Sequence, residues 1–388
     1  MKLACNGHAV HATYCLNIHP GESWEENLAA IREQVPQVRT CLGHEGEFGL
    51  GMRLSAQAAS ELAIPGRLRE FASFLADQGL YVFTVNAFPY GTFHGTRIKE
   101  DVYAPDWTSV ERVGYTLHVA RILATLLPEG VTGTISTVPG TYRSWTRPET
   151  QGDIVHNLSR AVAELATLEA ETGRRIQLAL EPEPDCLWDT ATDCARLFNQ
   201  DIPRLAEIPE SRVQRHLGIC LDTCHQAVIF DSPTASLRCL LDAGVPVAKI
   251  QVSAAPIFPC SKLGLAQAAS FVDECYLHQT AIRQQDGTVQ RFPDLPQALA
   301  AAQALPPESE LRTHFHIPLC VDRWETMRST RNQLDGEFWQ LARQAGIDQF
   351  EAETYTFNVL PPALREQSVA ENVAAELRWL REALTPGE

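Results

Sequence analysis

The chain has 388 residues, 45% hydrophobic and 21% charged, which excludes disorder as the dominant state and supplies a large core. Its 32 Lys and Arg against 48 Asp and Glu leave a net charge of −16; such a surface repels phosphate backbones and anionic headgroups, so no nucleic acid partner is expected. No apolar run reaches the roughly 18–20 residues of a bilayer span, the opening MKLACNGHAVHATYC lacks a charged-then-apolar leader, and the 11 cysteines are scattered. Membrane insertion and a disulfide scaffold are therefore not expected, and a cytoplasmic location is.

No repeat, low-complexity tract or polar linker divides residues 1–388, which read as a single domain. Strand-like runs occur at 11–19 (HATYCLNIH), 48–55 (FGLGMRLS), 80–88 (LYVFTVNAF), 133–140 (GTISTVPG), 176–184 (IQLALEPEP), 217–225 (LGICLDTCH) and 248–256 (AKIQVSAAP). Helical patterns separate them. Ser23 and Glu26 have capping-box spacing after the first run, and Val110, Val113, Leu117, Ala120, Ala124 and Leu127 form one apolar stripe over 108–127. The polar stretch 258–293 reads as a hairpin-like insertion. RTHFHIPL (312–319) and QFEAETYTF (349–357) then compete for one remaining strand position, before a last helix opened by Ser368 and Glu371.

Alternating apolar strands and amphipathic helices predict parallel strands joined by helical crossovers. The first strand leads into Asn17-Ile18-His19-Pro20-Gly21 and no GxGxxG occurs, which disfavours a dinucleotide-binding sheet. An α/β fold of the (β/α)8, or TIM, barrel type is expected, with the insertion near 258–293.

In such a barrel all strand C-termini meet at one mouth, so His19, Asn86, Glu181, Asp222, His225, Gln251, His316 and Glu353 converge despite their separation in sequence. Carboxylates ending apolar strands are costly unless paired or metal-bound. Oxygen donors alone suit Mg2+ or Mn2+, whereas imidazole from His225 or His316 tilts the site towards Zn2+, Co2+ or Fe2+. Glu183 competes with Glu181, and Glu351 with Glu353. His314 shares a strand face with His316. Arg53 reads as an ion-pair partner of an acid, and Tyr90, Phe93, Trp145 and Trp188 as packing residues.

The order LALEPEP, LDTCH, IQVSAA and EAETYTF resembles that of the xylose-isomerase-like barrels, which include sugar isomerases, ketose 3-epimerases, hydroxypyruvate isomerase and endonuclease IV. This resemblance implies one divalent metal (Mn2+, Mg2+, Zn2+ or Co2+) on Glu181, Asp222, Gln251 and Glu353. It also implies proton transfer by Glu181 and Glu353 on a small sugar or hydroxycarbonyl substrate; by their places at strand ends and beside the mouth, His19, Asn86, His94, His225 and His316 read as its contacts. TYCLNIHPGESW, VNAFPYGTFHG, THFHIPL and ETYTFNVLP further resemble the EboE family of metabolite-traffic barrels. Against isomerase chemistry stand a noncatalytic metabolite carrier and an endonuclease IV-like nuclease; a homo-oligomer is compatible with either enzyme reading or with the carrier.

Overall fold

Near-continuous apolar sequence makes strands that need cover on both faces, and the chain supplies it by closing them into a cylinder wrapped in helices. In the computed structural model, which describes residues 1–5, 8–95 and 97–385, the parallel strands are β1 (His8–Tyr14), β2 (Phe48–Arg53), β3 (Leu80–Asn86) and β4 (Gly133–Thr137). They continue as β5 (Ile176–Leu180), β6 (Leu217–Asp222), β7 (Val247–Val252) and β8 (Gln349–Ala352). Asn6, Gly7, Thr96 and the last three residues of the expected 1–388 domain lie outside the described residues. The hydrogen-bonded order runs β1-β8-β7-β6-β5-β4-β3-β2, and a parallel bridge from Cys15 to Gly51 brings the two ends together. A short strand, Lys2–Cys5, pairs antiparallel with β1.

The contest for the eighth position is won by the 349–357 run: β8 pairs parallel with β1 and β7. The rival run begins in Glu310–Thr313, which pairs antiparallel with Pro256–Pro259 and Thr280–Arg283 in a separate six-stranded sheet. The insertion is thus longer than 258–293. It contains the expected hairpin, Thr280–Arg283 with Val289–Phe292, but its sheet extends from Pro256 to Ser329. The first strand is shorter than its apolar run; it stops at Tyr14, and Leu16–Ile18 form a 3-10 turn.

Both capping boxes form, Ser23 with Glu26 and Ser368 with Glu371. The expected stripe over 108–127 becomes helix Val110–Leu126, although Val110 is 62% exposed because it occupies the first turn, outside the packed face. Gly51 lies where β2 meets β1. A Cβ there would stand 1.9 Å from Glu351 Oε1 and 2.9 Å from the Tyr14 carbonyl oxygen, so barrel closure needs glycine at this point.

Below the mouth, the barrel interior holds an ion pair. Lys249 Nζ lies 2.6 Å from Glu351 Oε2 and donates to Thr84 Oγ1 at 3.1 Å, with both charged side chains 1% exposed. Removing one partner strands a charge in a dry interior. Lys249→Met is expected to destabilise the chain by about 3–5 kcal/mol in denaturant unfolding, and adding Glu351→Leu to recover much of that loss. A double variant no more stable than the single one would contradict this electrostatic account.

Candidate active site and metal centre

Apart from Glu353, which follows β8, four barrel elements deliver the polar side chains of the mouth. The 3-10 turn after β1 places Asn17, and β3 ends on Asn86. Glu181 and Glu183 follow β5, their neighbours Pro182 and Pro184 being unable to donate to a ladder. Asp222 ends β6 and caps the helix Thr223–Val228, its Oδ1 accepting from the His225 amide at 2.9 Å and from Ser253 Oγ at 2.8 Å. That cap explains the Asp-x-x-His spacing, since the first helical turn carries the His225 ring back over the carboxylate.

The insertion is a further source. Beyond Glu310–Thr313 the chain folds over the mouth and brings His314 and His316 against His225. His314 Nε2 lies 3.1 Å from His225 Nε2 and 3.2 Å from His316 Nε2. Each ring's other nitrogen meets an oxygen: His225 Nδ1 the Pro182 carbonyl at 3.0 Å, His316 Nδ1 the Glu353 carbonyl at 3.0 Å, and His314 Nδ1 the Gln279 carboxamide oxygen at 2.7 Å. Asp222 closes the group from below, 3.9 Å from His225 Nε2.

The two expected catalytic carboxylates face one hollow. Glu353 Oε1 accepts from Asn17 Nδ2 at 2.7 Å and from Asn86 Nδ2 at 3.2 Å. Glu181 Oε1 lies 4.0 Å from His225 Nδ1, and Glu181 Oε2 is buried with no hydrogen-bond partner among the described residues. Burial pushes both carboxyls well above the usual glutamate range; Glu353 and Asp222 add to this at Glu181, and Asp222 and Glu351 add to it at Glu353. Burial also opposes ionisation of Asp222, but the His225 and His316 rings, the His225 amide and the Ser253 hydroxyl hold its carboxyl below the ordinary value. Burial lowers His316 to about 4 and His314 well below its normal value, so these rings are neutral.

The hollow measures about 520 Å3 with its open mouth included, and its interior is narrow. Of the expected site residues, Asn86, Glu181, His225 and Glu353 line it. Asp222 and His316 lie beneath it in the buried cluster. Gln251 sits level with Asp222 in the strand register, but its Oε1 accepts the Cys220 thiol at 2.6 Å, and its amide nitrogen has no partner among the described residues. His19 lies 3.1 Å from the Tyr14 hydroxyl through Nε2, and His94 is packed edge-on to Phe93; neither lines the hollow.

Glu183 lines the hollow as well, accepting from the Tyr103 hydroxyl at 2.7 Å, so 181 and 183 are both in place. Glu351 instead belongs to the Lys249 pair. Arg53 pairs with Glu22 at 2.9 Å, away from the hollow. Phe93 contributes to the wall, together with Phe88, Tyr103, Tyr276 and Tyr355, whereas Tyr90, Trp145 and Trp188 do not. Asn17, Tyr103, Gln279 and Tyr355 were not singled out in the sequence, and the last three carried no signal of a role. Asn17 alone had a cue, its place directly after the first strand.

No protein-family model matches the chain, and no curated protein matches it in sequence. Solved structures do match in shape. An L-ribulose 3-epimerase aligns over 97% of this chain and 95% of its own, with a TM-score of 0.51 and 12% identity. A D-tagatose 3-epimerase-like protein aligns over 97% of both chains, with a TM-score of 0.50 and 12% identity. The chain shares the (β/α)8 barrel fold of these proteins. A D-allulose 3-epimerase from Methylomonas sp. agrees, at a TM-score of 0.50 and 11% identity over 97% of this chain and 98% of its own. At such identities the likeness establishes the fold, while function rests on the site.

The donor set suits a divalent cation. Asp222 Oδ2 and Glu181 Oε2 are buried without partners among the described residues, and Glu181, Asp222 and His225 can offer one atom each within 4.8 Å of one another. Behind β8, Glu376 accepts from Thr354 Oγ1 at 2.6 Å and from the Leu319 amide at 2.9 Å, while burial raises its carboxyl to about 7. A raised carboxyl means that the folded state binds the extra proton between the unfolded value of about 4.5 and 7, so stability falls as pH rises through that window. The expected loss is on the order of 2–3 kcal/mol. Glu376→Gln should flatten the profile in urea unfolding from pH 5 to 8; an unchanged slope would contradict the assignment.

Proposed function

We propose that the chain is a metal-dependent isomerase or epimerase-like enzyme acting on a small sugar or hydroxycarbonyl compound. The observation that carries this reading is the pair Glu181 and Glu353, two buried carboxyls on one hollow, both raised by burial and by neighbouring carboxylates. Such a pair keeps one member protonated while the other is a base, the arrangement needed to remove a carbon-bound proton on one face and return one on the other. Asn17 and Asn86 hold Glu353 Oε1, leaving Oε2 to exchange the proton. A bound divalent ion would polarise the substrate oxygens and so acidify the neighbouring C–H. The epimerases named above support the reading through their shared fold.

The substrate is neutral. Lys99 is the one Lys or Arg lining the hollow among the described residues, and its ammonium is spent on Asp294 Oδ2 at 2.7 Å and on the carbonyls of Tyr276 at 2.6 Å and Asp273 at 3.3 Å. With three glutamates in the wall, a phosphate ester would meet repulsion and no free cation. The same charge argues against a nucleic acid. In keeping with the EboE resemblance, we place the reaction in the cytoplasm, within a secondary-metabolite pathway.

The test is proton exchange in D2O, followed by NMR, over a panel of free ketoses, aldoses and short hydroxycarbonyls with metal-loaded protein. Deuterium incorporation at the carbon beside the carbonyl is expected, with Glu181→Gln and Glu353→Gln each lowering its rate by about 10²–10⁴-fold while melting near the parent temperature. Tight binding of a panel member without exchange would replace the enzyme reading by the carrier, and a variant with full exchange would remove that residue from the proton transfer.

A further inference from the structure

We propose that the metal of this site is held by His225, His314 and His316 through their Nε2 atoms, with Asp222 as fourth ligand, and that the site selects a zinc-like transition metal over Mg2+. The argument is stereochemical. The Pro182 and Glu353 carbonyls are acceptors only, so His225 Nδ1 and His316 Nδ1 must carry the hydrogens that meet them. The Gln279 carboxamide is oriented with equal firmness. Its NH2 group donates to the Tyr103 hydroxyl at 2.7 Å, the Pro184 carbonyl at 3.1 Å and Glu183 Oε1 at 3.3 Å, leaving its oxygen for His314 Nδ1.

With each Nδ1 turned to an oxygen, Nε2 is the nitrogen that each of the three rings has left for a ligand. Yet these nitrogens stand 3.1 and 3.2 Å apart inside the protein, a contact that no hydrogen can relieve in those tautomers. A proton added to His225 or His316 would satisfy one contact and leave the other opposed, and one added to His314 would have to be shared between two acceptors. The Tyr355 hydroxyl, 3.4 Å from His314 Nε2, reaches one lone pair of the three and at long range. A cation resolves the conflict at once: ligands about 2.0–2.1 Å from one ion stand about 2.8–3.4 Å apart at octahedral to tetrahedral angles. Carbonyl oxygens behind the ring nitrogens are also the usual means of fixing ligand histidines.

Asp222 completes the set because it falls within 4.8 Å of donor atoms in both directions, with Glu181 and His225 on one side and with Cys224 and His316 on the other, and its Oδ2 is orphaned. Three imidazoles and one carboxylate suit Zn2+ or Co2+ and are poor for Mg2+, which prefers oxygen and its own waters. In this assignment Gln251 is not a ligand, and Glu181 and Glu353 keep their carboxyls for proton transfer. The inference concerns the metal alone and does not require the proposed reaction.

The experiment strips the full chain with a chelator, reloads it with Co2+, and reads metal per chain together with the visible spectrum. One Co2+ per chain with the intense absorption of a low-coordinate, nitrogen-rich site is expected. His225→Ala, His314→Ala and His316→Ala should each weaken Co2+ binding by roughly a hundredfold or more, and Gln251→Ala by little. Folding of each variant is checked by near-UV circular dichroism. The parent spectrum decides independently: the weak absorption of six oxygen ligands, or no uptake of Co2+, Zn2+ or Mn2+, would overturn the assignment, as would binding that survives the histidine changes. Metal held this way without any proton exchange would leave this inference standing and remove the isomerase reading; exchange supported by a metal bound elsewhere would do the reverse.

Discussion

Three imidazoles turning their Nε2 atoms towards one another, above a buried aspartate, are the constraint from which the rest of the mouth follows. Polar atoms taken out of water must be paired, and lone pairs cannot pair with lone pairs. The chain nevertheless invests heavily in keeping them together. A carbonyl at the end of β5, a carbonyl after β8 and a carboxamide from the insertion each fix one ring from behind. The cap that Asp222 places on its helix fixes the height of His225. A cation supplies the missing partner and turns three liabilities into one coordination sphere.

That arrangement divides labour between barrel and insertion. The barrel strands contribute the carboxylates and carboxamides: Glu181, Asp222 and Glu353, with Asn86. The six-stranded sheet between β7 and β8 contributes His314 and His316, together with Gln279, which orients His314. Much of the wall also comes from loops, with Phe88 and Phe93 after β3 and Tyr276 in the insertion. The site therefore combines a barrel floor with a cover built from the insertion and from the loop after β3.

Much of this was legible in the sequence, because period and polarity report strand ends well. The runs ending in Glu181, Asp222 and Asn86 lie where their apolar residues stop, since an apolar strand inside a barrel cannot continue past the layer of polar side chains at its mouth. Glu353 was separable from Glu351 only in three dimensions, where Lys249 on the neighbouring strand claims the deeper carboxylate. The insertion was the harder part. RTHFHIPL has the composition of a barrel strand, and nothing in its periodicity distinguishes pairing with β1 from pairing with Pro256–Pro259. Gln279 had no signal at all, because its importance lies in one hydrogen bond across 35 residues. Gln251 shows the opposite case: a position that fits a ligand pattern, with an oxygen already occupied by the Cys220 thiol.

X-ray absorption of the zinc-loaded full chain is the most direct test of the account. It counts imidazole rings around the ion without any assumption about substrate. The account predicts three imidazoles and an oxygen ligand at about 2.0–2.1 Å. A shell of oxygens with one imidazole or none would contradict it.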